Sequence, residues 1–298
     1  AAADVDFDLD QPPFQPNPRF RFDSFVIGPS NRLAVAGATN VAEEPGGKYN
    51  PLFIYGTSGV GKTHLMHAIA RGIQTREPSL VVRYMSAQQF AEMFVSALQA
   101  NRVEVFRKKL RSAQIWLLDD VQLIMGREKT QEEVFHTYNY LHSLGKQIVL
   151  CADRPPRDLY GMDERLRSRF EAGLVADIQL PDTETRCAIL RRKAEEDRLE
   201  LPNAVADYLA ETVPGNIRTL EGALTRLVAY VSVEGLALDL ESAQAMVDRY
   251  YHGGVLQKPS FDQVVHSVSR HFRIPVDEIK GQSRKAPITE ARHTAIFI

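Results

Sequence analysis

Residues Gly56-Thr57-Ser58-Gly59-Val60-Gly61-Lys62-Thr63 fit the pattern G-x-x-x-x-G-K-S/T, a spacing that builds a phosphate cradle. The glycines let successive backbone N–H groups converge on phosphate oxygens, and a helix starting at the lysine adds the positive end of its dipole. The Lys62 ammonium then reaches the β and γ phosphates, and the Thr63 hydroxyl is offered to Mg²⁺. The flanks suit this chemistry: an apolar run at residues 52–55 leads in, and Leu65 and Ile69 follow at helical spacing. The bland alternative, a Gly-rich turn with no ligand, requires neither flank. Residues 56–63 are therefore assigned to binding ATP or ADP, with Mg²⁺.

A triphosphate site needs an acid on its metal side, at the tip of a buried strand. Ile115-Trp116-Leu117-Leu118-Asp119-Asp120 supplies one. Alone, such a pair is as readily a helix N-cap; beside a P-loop it reads as a magnesium and water site. Asp119 with Thr63 then orients Mg²⁺, and Asp120 polarises the attacking water. ATPases of this kind often carry Glu at the second position, one methylene longer, so slow hydrolysis suited to a switch is expected. His64, His67, His136 and His142 have no metal-spacing partners and receive no role.

The elements that must position these groups follow from periodicity. Short apolar runs at 52–55, 80–85, 115–118, 148–152 and 175–180 alternate with helical patterns, the signature of an α/β fold around a five-stranded parallel sheet. Between the second and third runs, Ser86 with Gln89 makes a capping box ahead of the stripe Phe90, Phe94, Ala97 and Leu98. A second helix there turns Val103, Phe106 and Leu110 inward and carries a basic flank of Arg102, Arg107, Lys108, Lys109 and Arg111. After Pro181 the pattern turns helical at 182–198, 204–213 and 217–233, then at 240–252 before Gly253 and Gly254. Ser260 with Gln263 opens another helix. The expected division is a disordered linker remnant at 1–18, rich in Asp and Pro, and an α/β nucleotide-binding subdomain at 19–181. A helical lid at 182–239, a linker helix and connector at 240–259, and a partial, all-α helix-turn-helix unit at 260–298 complete it.

Composition bounds the class. With 44% hydrophobic and 25% charged residues, no secretory signal in the residues given, and no apolar run of bilayer length, a cytoplasmic protein is expected. Cys151 and Cys187 make no disulfide framework. The net charge of −2 argues against a chain that coats nucleic acid along its whole surface. Residues 260–298, however, hold six Lys or Arg against four Asp or Glu.

Together these motifs resemble the bacterial DnaA replication initiators, a family of AAA+ ATPases, over nearly the whole chain. Residues 22–32 look like that family's nucleotide-base strap, which implies that Val26 and Ile27 lie against adenine. Asp153-Arg154-Pro155-Pro156 resembles the sensor 1 segment, implying Asp153 beside the γ-phosphate, although Cys151 and Ala152 replace the small hydroxyl residues common there. Arg165-Leu166-Arg167-Ser168-Arg169-Phe170 is similar to the arginine-finger box, implying that Arg169 completes the ATP site of a neighbouring subunit. Gly215-Asn216-Ile217-Arg218 resembles sensor 2, which brings Arg218 to ATP of its own subunit. The paired helices after the second strand look like the initiator-specific insertion, which in this family gives the oligomer a helical rise. The resemblance further implies that Val95 and Lys129 touch single-stranded DNA in a central channel. Gly281-Gln282-Ser283-Arg284-Lys285 resembles a basic minor-groove loop, and the segment with Arg292 resembles the first helix of a helix-turn-helix motif that ends here before a recognition helix. The implied function is ATP-dependent initiation of chromosome replication. It comprises binding of duplex and single-stranded origin DNA, assembly into a helical oligomer in the ATP state, and duplex opening, with slow hydrolysis as the off switch. A replicative helicase contact through a preceding N-terminal region, and acidic membrane lipid, are partners by resemblance only. An AAA+ helicase loader or adaptor acting on proteins, and a metabolic P-loop kinase, stay open as alternatives; the former should lack the basic extension after Gly253, the latter the arginine-finger box.

Overall fold

The computed structural model describes residues 14–252, 268–269, 271–272, 274–281 and 287–289. Contacts divide the chain into two units, Ala1–Ala229 and Tyr230–Ile298.

In the first unit the five apolar runs form strands β1 Leu52–Tyr55, β2 Val82–Ser86, β3 Ile115–Asp119, β4 Gln147–Ala152 and β5 Leu174–Asp177. They pair in parallel in the order β2-β3-β4-β1-β5. Alternate side chains take opposite faces, as a pleated strand requires. Phe53, Trp116, Leu118, Ile148 and Leu150 pack into one cluster with Phe90, Phe106, Tyr138 and Phe170. Leu52, Ile54, Ile115, Leu117, Val149 and Cys151 pack into another with Leu65, Met66 and Ile69. Both faces are covered, which is why the strands read as continuous apolar runs.

Helices α1 Arg32–Glu43 and α2 Lys62–Arg76 cover the second face. Helices α3 Ala87–Gln99, α4 Val103–Arg111, α5 Glu128–Ser143 and α6 Glu164–Glu171 cover the first. The box at Ser86 forms as expected: Ser86 Oγ accepts the Gln89 N–H at 3.1 Å and Gln89 Oε1 accepts the Ser86 N–H at 2.9 Å. Two strand ends differ from the periodicity. Leu80 closes a turn on the Glu77 carbonyl at 3.1 Å, and β5 gives way where Gln179 N–H turns to the Ser30 carbonyl at 3.0 Å. A helical run begins with α7 Thr183–Glu196, capped by Asp182, whose Oδ1 accepts the Thr185 N–H at 2.8 Å. It continues with α8 Asn203–Thr212 and α9 Ile217–Glu234, the last turns of α9 belonging to the second unit. Arg186, 8% exposed, donates to the carbonyls of Ala210, Val213 and Gly215 and so fixes the loop that leads into α9.

In the second unit, Asp239 caps α10 Leu240–Val247 through the Ser242 N–H at 2.9 Å, and a π-helical turn at Asp248–His252 continues it. A short helix α11, Val276–Lys280, packs Ile279 with Val268, Phe272 and Ile274. The expected Ser260 box lies outside the described residues.

Candidate nucleotide site

The phosphate loop leaves β1 at Gly56 and enters α2 at Lys62. Gly59 and Gly61 hold φ of 76° and 103°, left-handed values that a Cβ would strain. A Cβ at Gly59 would also stand 2.6 Å from the Asn216 side chain, and one at Gly61 2.9 Å from the Phe25 ring. Val60 buries its side chain in the core at 1% exposure, so only its backbone is left for a ligand. Lys62 is 7% exposed, and its Nζ donates to the Gly56 carbonyl at 2.7 Å and the Thr57 carbonyl at 3.0 Å. A buried ammonium held by its own loop, in a turn whose Gly59 and Gly61 take left-handed φ, fits a triphosphate.

The metal side fits too. Asp119, 3% exposed, accepts from Thr63 Oγ1 at 3.0 Å and from the Tyr84 hydroxyl at 3.0 Å on Oδ2, and from the Asp120 N–H at 2.9 Å on Oδ1. Burial pushes its pKa up, as does the Asp120 charge, against the opposing effect of those hydrogen bonds. No group of three or more His, Cys, Asp or Glu placed to hold a metal ion exists among the described residues. One carboxylate and one hydroxyl, completed by phosphate oxygens and water, match the way Mg²⁺ is held in such sites.

Asp120 takes a left-handed conformation at φ 54°, ψ 51°, uncommon for a residue with a side chain. Its carboxylate accepts from Gln122 Nε2 at 2.9 Å, and Gln122 Oε1 accepts the Asp153 N–H at 3.3 Å. Gln122 thus ties the end of β3 to the end of β4. The Asp153 carboxylate is bidentate to Arg154, at 2.9 and 2.8 Å, and this partner holds its pKa below the usual range.

Two cavities flank the loop. One, of about 250 Å³, is lined by Ser58, Gly59, Lys62, Thr63, Asp120 and Arg218, the phosphate end. The other, of about 300 Å³, has an apolar side of Phe25, Val26, Ile189 and Ile217, suited to a base, and a polar side that includes Arg19, Arg192, Lys193 and Glu196. Ile27 is 57% exposed and is not in that lining. The start of α9 is joined to the loop directly: Asn216 Nδ2 donates to the Ser58 carbonyl at 2.9 Å and Ile217 N–H to the Gly59 carbonyl at 3.1 Å.

Sequence reasoning passed over Tyr84, Gln122 and Asn216, and it gave the two histidines of α2 no task. His64 stacks on Phe20 at 4.8 Å, with Nε2 2.9 Å from the Arg21 carbonyl, and His67 Nδ1 accepts the Asn17 N–H at 3.0 Å. They clamp the lead-in segment to α2. An aromatic-rich segment ahead of a helix with His at i and i+3 was the available signal.

Arg169 is exposed on α6, and its side chain has no hydrogen bond or ion pair among the described residues. Val95 on α3 is 45% exposed, and Lys129, in the first turn of α5, is exposed. None of the three lines the nucleotide cavities. Arg284, Lys285 and Arg292 lie outside the described residues.

Comparison with known proteins places this geometry. The family described as "Bacterial DnaA ATPase domain" matches residues 16–177. The chromosomal replication initiator protein DnaA of Thermus thermophilus is 44% identical over 283 residues, 95% of this chain and 64% of that protein. The chain therefore spans less than two thirds of that relative's length. The crystal structure of domain III of the Thermotoga maritima replication initiation protein DnaA aligns at a TM-score of 0.76 and 42% identity, over 80% of this chain and 99% of that one. A replication initiator DnaA bound to AMPPCP and single-stranded DNA aligns at 0.71 and 35% identity, over 95% of this chain and 83% of that one. A P-loop facing the hydrogen-bonded Thr63–Asp119 pair, with the first turn of α9 bonded to that loop, thus stands in a chain that belongs to the bacterial DnaA family of replication initiators.

Proposed function

We propose that this chain is the ATP-controlled assembly and DNA-engaging part of a cytoplasmic replication initiator. One observation carries the reading: Lys62, Thr63, Asp120 and the lid residue Arg218 line a single cavity. A bound triphosphate would therefore be felt by the α/β core and the lid together. Lys62 and the loop N–H groups hold the phosphates, Thr63 and Asp119 hold Mg²⁺, and Arg218 reaches the phosphates from the lid. Mg²⁺ supplies charge neutralisation between phosphates when bound. Asp120 orients the attacking water, and its short, Gln122-bonded carboxylate suits slow hydrolysis and a long-lived ATP state. The exposed, unpaired Arg169 suits a finger offered to the ATP of a neighbouring copy, from which a helical oligomer grows. Exposed Val95 and Lys129 suit contact with single-stranded DNA along that oligomer. Opening of origin DNA, with weak duplex contacts from Arg284, Lys285 and Arg292, completes the scheme. The lid begins near residue 182, and residues 260–298 begin a helix-turn-helix unit.

Sedimentation velocity with Mg·ATP against Mg·ADP tests this reading, with anisotropy of a short labelled single-stranded oligonucleotide measured in both nucleotides. Larger species and tighter binding in ATP, the latter falling steeply with salt, are expected. Equal sedimentation and equal binding in the two nucleotides would overturn it.

A further inference from the structure

The two cavities beside the phosphate loop share five lining residues: Phe20, Gly61, His64, Ile217 and Glu221. A nucleotide with its base near Val26 and Ile189 and its phosphates at Lys62 and Thr63 must lay its sugar along that common wall. Phe20 and Ile217 offer carbon there, and Gly61 has no side chain. The His64 ring is already engaged, with Nε2 2.9 Å from the Arg21 carbonyl. Glu221 is different. It lies on α9 three residues beyond Arg218 and four beyond Ile217, on the same helix face. No hydrogen bond or ion pair among the described residues engages its carboxylate. Lys193, the nearest cation on α7, is held by Asp197 at 3.2 Å. Burial pushes the Glu221 carboxyl pKa up, Lys193 and Arg218 favour the ionised form, and Glu196 and Asp197 oppose it. The result is a half-buried acceptor in the wall of both cavities, with no donor among the described residues.

We propose that Glu221 reads the ribose: its carboxylate accepts hydrogen bonds from the vicinal 2′- and 3′-hydroxyls of the bound nucleotide and so selects ribonucleoside over deoxyribonucleoside triphosphates. Two acceptor oxygens match two adjacent donors, and an acid on a ribose diol is a recurring solution in nucleotide sites. A hydrogen bond to a charged group in a partly desolvated site changes affinity by about tenfold or more when its partner is removed. The negative charge beside the phosphates is offset by Arg218 and Lys62. This inference rests on the nucleotide-site reading above.

Isothermal titration calorimetry of the whole chain with ATP, 2′-deoxy-ATP and 3′-deoxy-ATP, each with Mg²⁺, tests it without a label on the sugar. The unmodified chain should bind ATP about tenfold more tightly than at least one deoxy analogue. In Glu221→Ala that preference should fall to about one, because ATP loses two hydrogen bonds while each analogue loses only the one its remaining hydroxyl makes. Glu221→Gln, which keeps the shape and one acceptor, should retain only part of the preference and guards against a folding defect in the alanine variant. Equal binding of all three nucleotides by the unmodified chain overturns the inference and leaves the site intact. So does an equal loss for all three in Glu221→Ala, which would mark a lid effect. Failure of the unmodified chain to bind ATP at all overturns the nucleotide site itself, and the inference with it.

Discussion

Lys62 is held by its own loop, its ammonium donating to the carbonyls of Gly56 and Thr57, and the same group is the one proposed to grip the phosphates. Lys62→Ala removes charge-assisted bonds to two phosphates, each worth about 1.5–3 kcal/mol. ATP affinity should drop at least about a hundredfold in calorimetry while the far-ultraviolet dichroism stays native. Unchanged affinity in a folded variant would remove the assignment. The loop was legible in the sequence because its chemistry is local: residues 56–63 bring their own backbone donors. Tyr84, Gln122 and Asn216 were not, because each gains its task from a partner far along the chain. Tyr84 meets Asp119 across 35 residues, Gln122 meets Asp153 across 31, and Asn216 meets Ser58 across 158. A lone Tyr, Gln or Asn carries no periodicity that would reveal such a meeting.

Among the elements, the paired helices α3 and α4 depend on a charge contact that no motif announces. Arg107 of α4 is bidentate to Glu133 of α5, with bonds of 2.7, 2.9 and 3.1 Å, and Glu133 is 2% exposed. Removing the guanidinium strands a buried carboxylate. Because Arg107 keeps 30% of its side chain in water, the cost of Arg107→Met should be about 2–3 kcal/mol, at or below the range for fully buried pairs. Adding Glu133→Gln should restore most of it, and urea unfolding of the single and double variants measures the coupling. The lead-in segment is held differently, by neutral imidazoles. Burial, and for His67 the neighbouring His64, hold both pKa values below the ordinary 6.5; the hydrogen bond to the Arg21 carbonyl, then Glu196 and Asp23, partly offset this at His64. With the segment released, His64 and His67 therefore take up protons at a higher pH than when it is docked. Docking is at full strength above about pH 6.5 and weakens below it, most directly at His67, whose Nδ1 lone pair accepts the Asn17 N–H. Amide exchange of residues 14–25 should quicken between pH 7.5 and 5.5 relative to β3, after correction for intrinsic rates. His67→Gln, which keeps an acceptor, should flatten that dependence; an unaltered profile in this variant would refute the clamp. Strand runs and helix stripes were readable because period two and period 3.6 differ. Their ends were less so, since Leu80 and Gln179 take their partners from turns and from α1's approach.

At the scale of the whole molecule, the test is whether one copy completes another. Arg169→Ala should leave ATP affinity within about twofold, because the side chain reaches neither cavity, yet reduce ATP-dependent assembly in gel filtration. An unchanged elution profile in ATP would rule out the finger role. Lys129→Ala should lower single-strand affinity by roughly the contribution of one phosphate contact, with a shallower salt slope, and leave ATP binding alone. Both outcomes depend on the lid taking up a position set by the nucleotide, and the junction at Asn216 bears on how that happens. Two carbonyls of the phosphate loop, Ser58 and Gly59, are the seats on which the first turn of α9 rests. The same Asn216 fixes that turn internally, its Oδ1 accepting from Thr219 N–H and Oγ1. The loop and the lid therefore behave as a crank and its shaft. A peptide that rotated to meet a third phosphate would move the seat, and with it the first turn of α9.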